Sequence, residues 1–319
     1  MAHVTALIVN YQSADLVLAN VPNLTAEKQG VDRLDIVIVE NGSPGDDAEV
    51  LRQGLIEQGA EDQYELIVSQ TNGGFASGNN IGLRAIAERE TRPDFVVLVN
   101  PDTTFFEGTI ASLVNAAADH PQAGCFGGYA VTENGERRDC AYHFPGITRQ
   151  AAKLLLIGRL FSDEMRRSNV LAPDDEPVVC DWVSGSCFML RAAALEAVPL
   201  FDDGYFLYFE ETDYCRRLKD AGFLTMHVPR ARYVHIKGVS TGFQDDPAKK
   251  KPLPDYWYRS WRRYYVKNHG RLYALGMGMM IMLSMSLKGL SGRAQPPGGI
   301  APRRFISLCM GPTVAGSPL

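Results

Sequence analysis

The chain has 319 residues, 45% of them hydrophobic and 22% charged, with a formal net charge of −5. Those proportions suit a globular protein with one large core or two modest ones, and they exclude disordered, collagen-like and polytopic membrane classes. The negative balance argues against a protein that coats nucleic acid by bulk charge. It is unevenly spread, however: from 255 to 319 the only acid is Asp255, against nine Lys and Arg. That end carries +8 and the remainder −13, so the end is expected to meet something anionic.

Short β-branched runs occur at 4–9 (VTALIV), 35–39 (DIVIV), 65–68 (ELIV) and 94–99 (DFVVLV). Between them lie segments with helical spacing, such as Leu16, Val17, Asn20 and Leu24, then Ile81, Leu83 and Ile86. Strands apolar on both faces and separated by helices predict a mostly parallel α/β sheet with both faces covered. A polar cluster follows three of the runs: Asn10-Tyr11, Glu40-Asn41-Gly42-Ser43 and Asn100-Pro101-Asp102. Ligands of open α/β sheets bind beyond the carboxyl ends of the strands, so these clusters are expected to line one crevice. The opening residues, MAHVTALIVNYQS, lack a basic segment and are too short and polar for a signal peptide.

The stretch 125–180 is less regular, with a helix expected at 149–161 and an acidic loop at 173–177. Beyond it the pattern predicts a strand at 185–190, a helix at 210–221 stopped by Gly222, and a short strand at 224–228. Lys249-Lys250-Lys251-Pro252 reads as a hinge before a helix carrying Tyr256, Trp257, Trp261, Tyr264 and Tyr265. The apolar run LGMGMMIMLSMSL (275–287) falls short of the roughly 20 residues that span a bilayer. Flanked by bases and preceded by aromatic residues, it suits the interface of an anionic membrane; packing back on the protein or pairing in a homodimer is the alternative. The last 25 residues or so, rich in Gly and Pro, are expected to be loosely ordered. Six scattered cysteines (Cys125, Cys140, Cys180, Cys187, Cys215 and Cys309) form no C-x-x-C pair and read as reduced core residues of a cytosolic protein.

Three constellations carry chemistry. NGGFASGNNIG (72–82) lies between a strand and a helix, where backbone amides can approach an anion; a plain tight turn is the ordinary alternative. It is neither a P-loop nor a dinucleotide fingerprint. Asp102 stands at a strand end, where a carboxylate can hold a divalent cation against a diphosphate, or can cap the helix-like stretch that follows. Glu210, Glu211 and Asp213 open a helix behind Tyr205, Phe206, Tyr208 and Phe209. Such an apolar approach can raise one carboxyl toward the range of a general base.

With these motifs in order, the chain resembles glycosyltransferase family 2, most closely its bacterial rhamnosyltransferase-like members. The resemblance runs from about Val4 to Gly242 and rests on VNYQS, VENGS, NGGFASGNNIG, VNPD, WVSGSCFMLR, YFEETDYCRR and HIKGVST. It implies a GT-A-like, Rossmann-related catalytic domain over 1–245 and a basic helical tail over 246–319. It places Asn10, Tyr11, Glu40, Asn72, Gly78, Asn79 and Asn100 around a nucleoside diphosphate sugar. Glu40 occupies a position where the family usually has Asp, which leaves thymine or uracil open. Asp102 and His235 would hold a divalent metal, Mg²⁺ or Mn²⁺, and Trp182, Ser184 and Gly185 would border the acceptor. Glu211 would be the catalytic base of an inverting transfer, where the family usually has Asp. The implied reaction moves rhamnose from dTDP-rhamnose to a glycan or lipid-linked glycan at the cytoplasmic face of the plasma membrane. A UDP-hexose transferase and a non-catalytic sugar-nucleotide-binding subunit are the alternatives; nucleic acid is not an expected partner.

Overall fold

The computed structural model describes residues 2–59, 64–154, 169–170, 176–235, 253–290 and 300–311. Contacts divide the chain into two compact units. One gathers Met1–His143, Asn169–Asp203 and Glu211–Gly242; the other gathers Phe144–Ser168, Gly204–Glu210 and Phe243–Leu319. That line differs from a single boundary at 245, because two internal segments join the C-terminal residues.

In the first unit, β1 (His3–Asn10), β2 (Arg33–Asn41), β3 (Tyr64–Ser69) and β4 (Phe95–Val99) pair in parallel in the order β3-β2-β1-β4. Helices α1 (Ala14–Ala26), α2 (Asp47–Glu57) and α3 (Gly74–Ala87) make the crossovers. Side chains alternate along a strand, so β1 shows two faces. Val4, Ala6 and Ile8 join Val17, Val21 and Leu24 of α1 in one core, while Leu7 and Val9 meet α3. Gly78 and Gly82, one turn apart, permit that second contact: a Cβ at Gly78 would stand 2.5 Å from Val9 Cγ1, and one at Gly82 2.3 Å from Leu7 Cδ1. Both faces are therefore covered, as the continuous apolar runs predict.

Beyond β4 the same sheet continues with β10 (Cys187–Arg191), β6 (Ala123–Val131), β11 (Leu224–His235) and β5 (Thr103–Phe105), and β8 (Val178–Cys180) pairs with β11. Here the pairing is mixed: β10 runs antiparallel to β4 and β6, and β11 antiparallel to β5 and β8. Helix α4 (Thr109–Asp119) packs on β6 and β11, and β7 (Ala141–Tyr142) pairs with β9 (Trp182–Val183) in a separate ribbon. Helices α6 (Ala192–Ala197) and α7 (Glu210–Asp220) complete the described elements of this region.

Three local expectations change. The stretch after Asp102 is a strand, β5, and not a helix, so Asp102 caps no helix; α4 begins only at Thr109. The strand expected to end at 228 runs on to His235, because a register shift between His227 and Arg232 accommodates Pro229, which has no amide to donate. The strand expected at 185–190 starts at Cys187, since Gly185 and Ser186 form a turn.

In the second unit, α5 (Ile147–Leu154), α8 (Asp255–His269), α9 (Arg271–Leu290) and α10 (Pro302–Phe305) are described. Only the first part of the helix expected at 149–161 lies among the described residues; the hinge at 249–252 and the motif residues 236–241 lie outside them. Trp261, Tyr264 and Tyr265, expected at a membrane interface, are buried with Tyr205, Tyr258, Met277, Phe305 and Cys309. A small helical unit needs large side chains to fill a core, and these supply it. Residues Pro302–Met310, expected to be loosely ordered, are helical, and the one-turn pair Phe305 and Cys309 is buried. All six cysteines are free and buried.

Candidate active site

The first cluster grows from the carboxyl ends of the parallel strands, where the donor is expected. Asn10 pairs in register with Glu40, and Ile8 with Val99, so the ends of β1, β2 and β4 open on one edge. Asn10 is buried; its amide donates to Asp47 Oδ1 (3.1 Å) and its oxygen accepts from Ser13 Oγ (2.9 Å). Tyr11 follows, half-buried. Gln12 adopts a left-handed backbone (φ 53°), and its amide donates to Ser43 Oγ at 2.9 Å, tying β1 to the turn after β2.

Glu40 is buried and folds back on that turn: Oε1 accepts from the Ser43 amide (2.7 Å) and Oε2 from the Gly42 amide (3.2 Å). Gly42 sits at φ 68°, and a Cβ there would stand 2.4 Å from the Thr71 carbonyl carbon. Only glycine lets the two loops meet so closely. Across that contact, Asn41 Nδ2 donates to Asn72 Oδ1 and to the Gly74 carbonyl, both at 3.1 Å, while Asn72 Oδ1 also accepts from the Gly74 amide (2.9 Å). In the sequence Asn41 counts only as a member of the cluster after β2, with no role of its own, although a buried amide ending an apolar strand is an available signal. Asn79 turns inward and donates to the Phe75 carbonyl (2.8 Å), and Gly78 faces β1. Neighbouring Asn80 binds Phe201 through both its amide nitrogen (2.7 Å) and its oxygen (2.9 Å), fastening α3 to the chain that leads toward α7.

The second cluster forms around Asp102. The Asn100 amide (3.0 Å) and Thr103 Oγ1 (3.3 Å) both donate to the Ser186 carbonyl. Ser186 Oγ lies 2.8 Å from Tyr233 Oη and 3.1 Å from Ser184 Oγ. Ser186, absent from the predicted set, thus joins the Asp102 loop, Ser184 in the loop before β10, and β11. Pairing of Thr103 with His235 brings together residues 132 positions apart, leaving Asp102 Oδ1 3.3 Å from His235 Nε2 with both side chains largely buried. The carboxylate oxygen suits Mg²⁺ or Mn²⁺ and the imidazole nitrogen favours a transition metal such as Mn²⁺ over Mg²⁺, and two protein donors leave most of the coordination shell for phosphate oxygens and water. Among the described residues no group of three or more His, Cys, Asp or Glu could hold a metal. The pair therefore fits a cation that arrives with an anionic substrate better than a closed structural site.

The third cluster contains Glu211. A Cβ at Gly185 would stand 3.7 Å from Glu211 Oε1 and 3.8 Å from Phe75 Cε1, so the loop before β10, α7 and the first turn of α3 adjoin. Trp182 stacks on Tyr142 with ring centroids 4.3 Å apart, and its indole donates to the His143 carbonyl (3.1 Å). Glu211 Oε2 is closed off from solvent and has no hydrogen-bond partner among the described residues. Burial pushes its carboxyl up to about 7, against a smaller opposing pull from the amides of Glu211 itself and Thr212. Asp213, fully buried, is paired with Arg217 Nε (3.0 Å), and that guanidinium also reaches the carbonyls of Pro199 and Leu200. Its role is to hold the helix. Just upstream, Tyr208 (φ 71°) and Phe209 (φ 69°) are both left-handed, a conformation that costs bulky residues about 1–3 kcal/mol each and concentrates at functional sites.

The family model described as glycosyltransferase like family 2 matches residues 2–249. The chain belongs to that family. Its relatives within and around glycosyltransferase family 2 include the N-acetylglucosaminyl-diphospho-decaprenol L-rhamnosyltransferase of Mycobacterium tuberculosis. That protein is 35% identical over 159 residues, 49% of this chain and 50% of the relative. The low-salt glycan biosynthesis hexosyltransferase of Haloferax volcanii is 26% identical over 219 residues, 67% of this chain and 60% of the relative. The chain thus spans between half and two thirds of the length of these relatives. Among solved structures, the mannosyltransferase of Pyrobaculum calidifontis with GDP-Man and Mn²⁺ superposes with a TM-score of 0.55 at 13% identity, covering 92% of this chain and 80% of that one. GalNAc-T7 with UDP, GalNAc and Mn²⁺ gives 0.57 at 14% identity, over 97% and 57%. At such identities the likeness concerns the fold, and it bears out the GT-A-like architecture expected from the sequence.

Proposed function

We propose that this chain transfers a sugar, rhamnose from dTDP-rhamnose, to a hydroxyl of a cell-surface polysaccharide or lipid-linked glycan, with inversion at the anomeric carbon. The observation that carries the reading is Glu211: a half-buried carboxylate whose solvent-shielded Oε2 has no partner among the described residues and whose pKa is raised to about 7, beside the Gly185 turn. The name of the M. tuberculosis relative supports rhamnose and a lipid-linked acceptor.

In this reading the donor nucleotide lies over the ends of β1 and β2, framed by Asn10, Tyr11, Glu40, Asn72, Gly78, Asn79 and Asn100. Trp182 offers an aromatic face, and Ser184 and Gly185 a turn, against which the acceptor rests. Glu211 takes the acceptor hydroxyl proton as that oxygen bonds to the anomeric carbon, and the bond from that carbon to the diphosphate oxygen breaks with its electron pair. Because attack and departure occur on opposite faces, one base suffices and no nucleophilic carboxylate is needed. Asp102 and His235 would hold a divalent cation, which when bound neutralises the charge gathering on the departing diphosphate. Glu40 gives a second reading some weight: both its oxygens are occupied by its own turn, so base choice rests with its neighbours, and a UDP-hexose donor remains compatible.

Diphosphate release from a panel of dTDP- and UDP-sugars, with Mg²⁺, Mn²⁺ or chelator and a polyprenyl-linked acceptor, tests the reading. Turnover with dTDP-rhamnose that is lost in chelator and in Glu211→Gln is the expected result. Turnover with a UDP-sugar alone would replace the donor and keep the mechanism. Nucleotide binding without any turnover would leave a binding subunit.

A further inference from the structure

The second unit presents an apolar face that the chemistry above does not use. On α9, Leu272 is 86% exposed, Leu275 39%, Met279 59% and Leu283 55%. Steps of three, four and four residues place them along one side of the helix. Ala274, Met277 and Ile281 lie on the opposite side and belong to the unit's core. The helix is therefore apolar on both sides, and from Leu272 to Leu283 it carries no charged residue. The outward side of an ordinary surface helix is polar; this one offers about 16 Å of leucine and methionine.

Exposed cations lie in the same unit, with Arg304 paired to Asp255 at 3.5 Å. Arg271 opens α9, and Arg303 and Arg304 are exposed on α10, whose Phe305 ring reaches to 3.5 Å from a Cβ placed at Gly278 of α9. Exposed Ile306 follows them. The sequence from Asp255 onward has nine bases and one acid. No described helix is long and apolar enough to cross a membrane.

We propose that this face docks on a bilayer surface containing anionic lipid, with Leu272, Leu275, Met279 and Leu283 entering the acyl boundary and the surrounding bases meeting lipid phosphates. The charge favours lipid over a second copy of the chain, because self-pairing would bring two strongly positive segments together. The inference does not depend on the transfer reading, since docking requires no sugar nucleotide.

Flotation of the full chain with phosphatidylcholine vesicles, with and without phosphatidylglycerol, tests it. Binding is expected with phosphatidylglycerol and should weaken as salt rises. It should fall at least about tenfold both in pure phosphatidylcholine and in the double variant Leu275→Glu/Met279→Glu. Leu272→Ser, at the most exposed position, provides a milder variant if the double substitution lowers the melting temperature. Failure to bind anionic vesicles, or undiminished binding by folded variants, would overturn the proposal. So would a concentration-dependent dimer that the same variants dissolve, because a second copy would then cover the stripe.

Discussion

Two regions of the first unit treat most of their polar groups differently: the ends of β1 and β2, proposed to hold the donor, and the surroundings of β10 and α7, proposed to react. Around β1 and β2, Asn10, Glu40 and Asn72 hold partners within the protein, so most of this geometry is set before any ligand arrives. Asn41 donates twice through Nδ2, although its buried Oδ1 has no partner among the described residues. Around β10 and α7, Glu211 keeps one shielded oxygen without a partner among the described residues, and Asp102 and His235 face each other with coordination capacity to spare. A frame gains from satisfied hydrogen bonds because they remove alternative conformations. A reactive group gains from incomplete ones because its protonation and binding capacity stay available. In the proposed reading, the difference separates positioning from chemistry within one sheet.

The largest expected effect breaks the reactive side alone. Glu211→Gln should lower kcat by about 10² to 10⁴ while donor affinity, measured by calorimetry, stays within about twofold. The same residue sets the pH dependence: as a base it works deprotonated, so kcat/KM should rise through about pH 7 and level off above it. Stability runs the other way. The folded chain keeps a proton that the unfolded chain has released between about 4.5 and 7, so stability falls as pH rises through that window. Above it Glu211→Gln should be the more stable form by up to about 3 kcal/mol, an advantage that shrinks to nothing below pH 4.5 and is read from urea unfolding at several pH values.

Asp102→Asn should give the next largest loss, about 10- to 100-fold in apparent Mn²⁺ affinity read from metal titration of diphosphate release. An unchanged metal dependence would remove Asp102 from the cation site. The smallest effect should come from the frame. Asn41→Ala should cost about 1–2 kcal/mol of stability and raise the donor KM several-fold with little change in kcat, because it loosens the Asn72–Gly74 loop without touching the reacting atoms. A kcat loss matching that of Glu211→Gln would erase the distinction between the two sides.

Legibility in the sequence follows the same division. The parallel half was readable because its strands are continuous β-branched runs and its polar residues fall at their ends, where a fully covered sheet exposes backbone to a ligand. The mixed half was not. Ala123–Val131 is rich in glycine, β5 is three residues long, and Pro229 interrupts β11, so local periodicity was weak wherever long-range pairing made the structure. The aromatic residues of α8 illustrate a further limit: their composition suited a membrane interface equally well, and only packing revealed them as core.

By itself, then, the amino-acid sequence determined the α/β class, the edge where polar residues gather, the buried cysteines and the basic C-terminal segment, since all of these follow from residue type and local spacing. Tertiary structure alone decided that Asp102 meets His235 through the pairing of β5 with β11, that Glu211 lies beside Gly185, and that Asn41 fastens the loop before α3. It also decided which face of α9 points outward. The physical reason is common to these cases: a carboxylate's proton affinity, a metal pair's spacing and a side chain's exposure depend on neighbours brought from distant positions, and no local pattern encodes who those neighbours are.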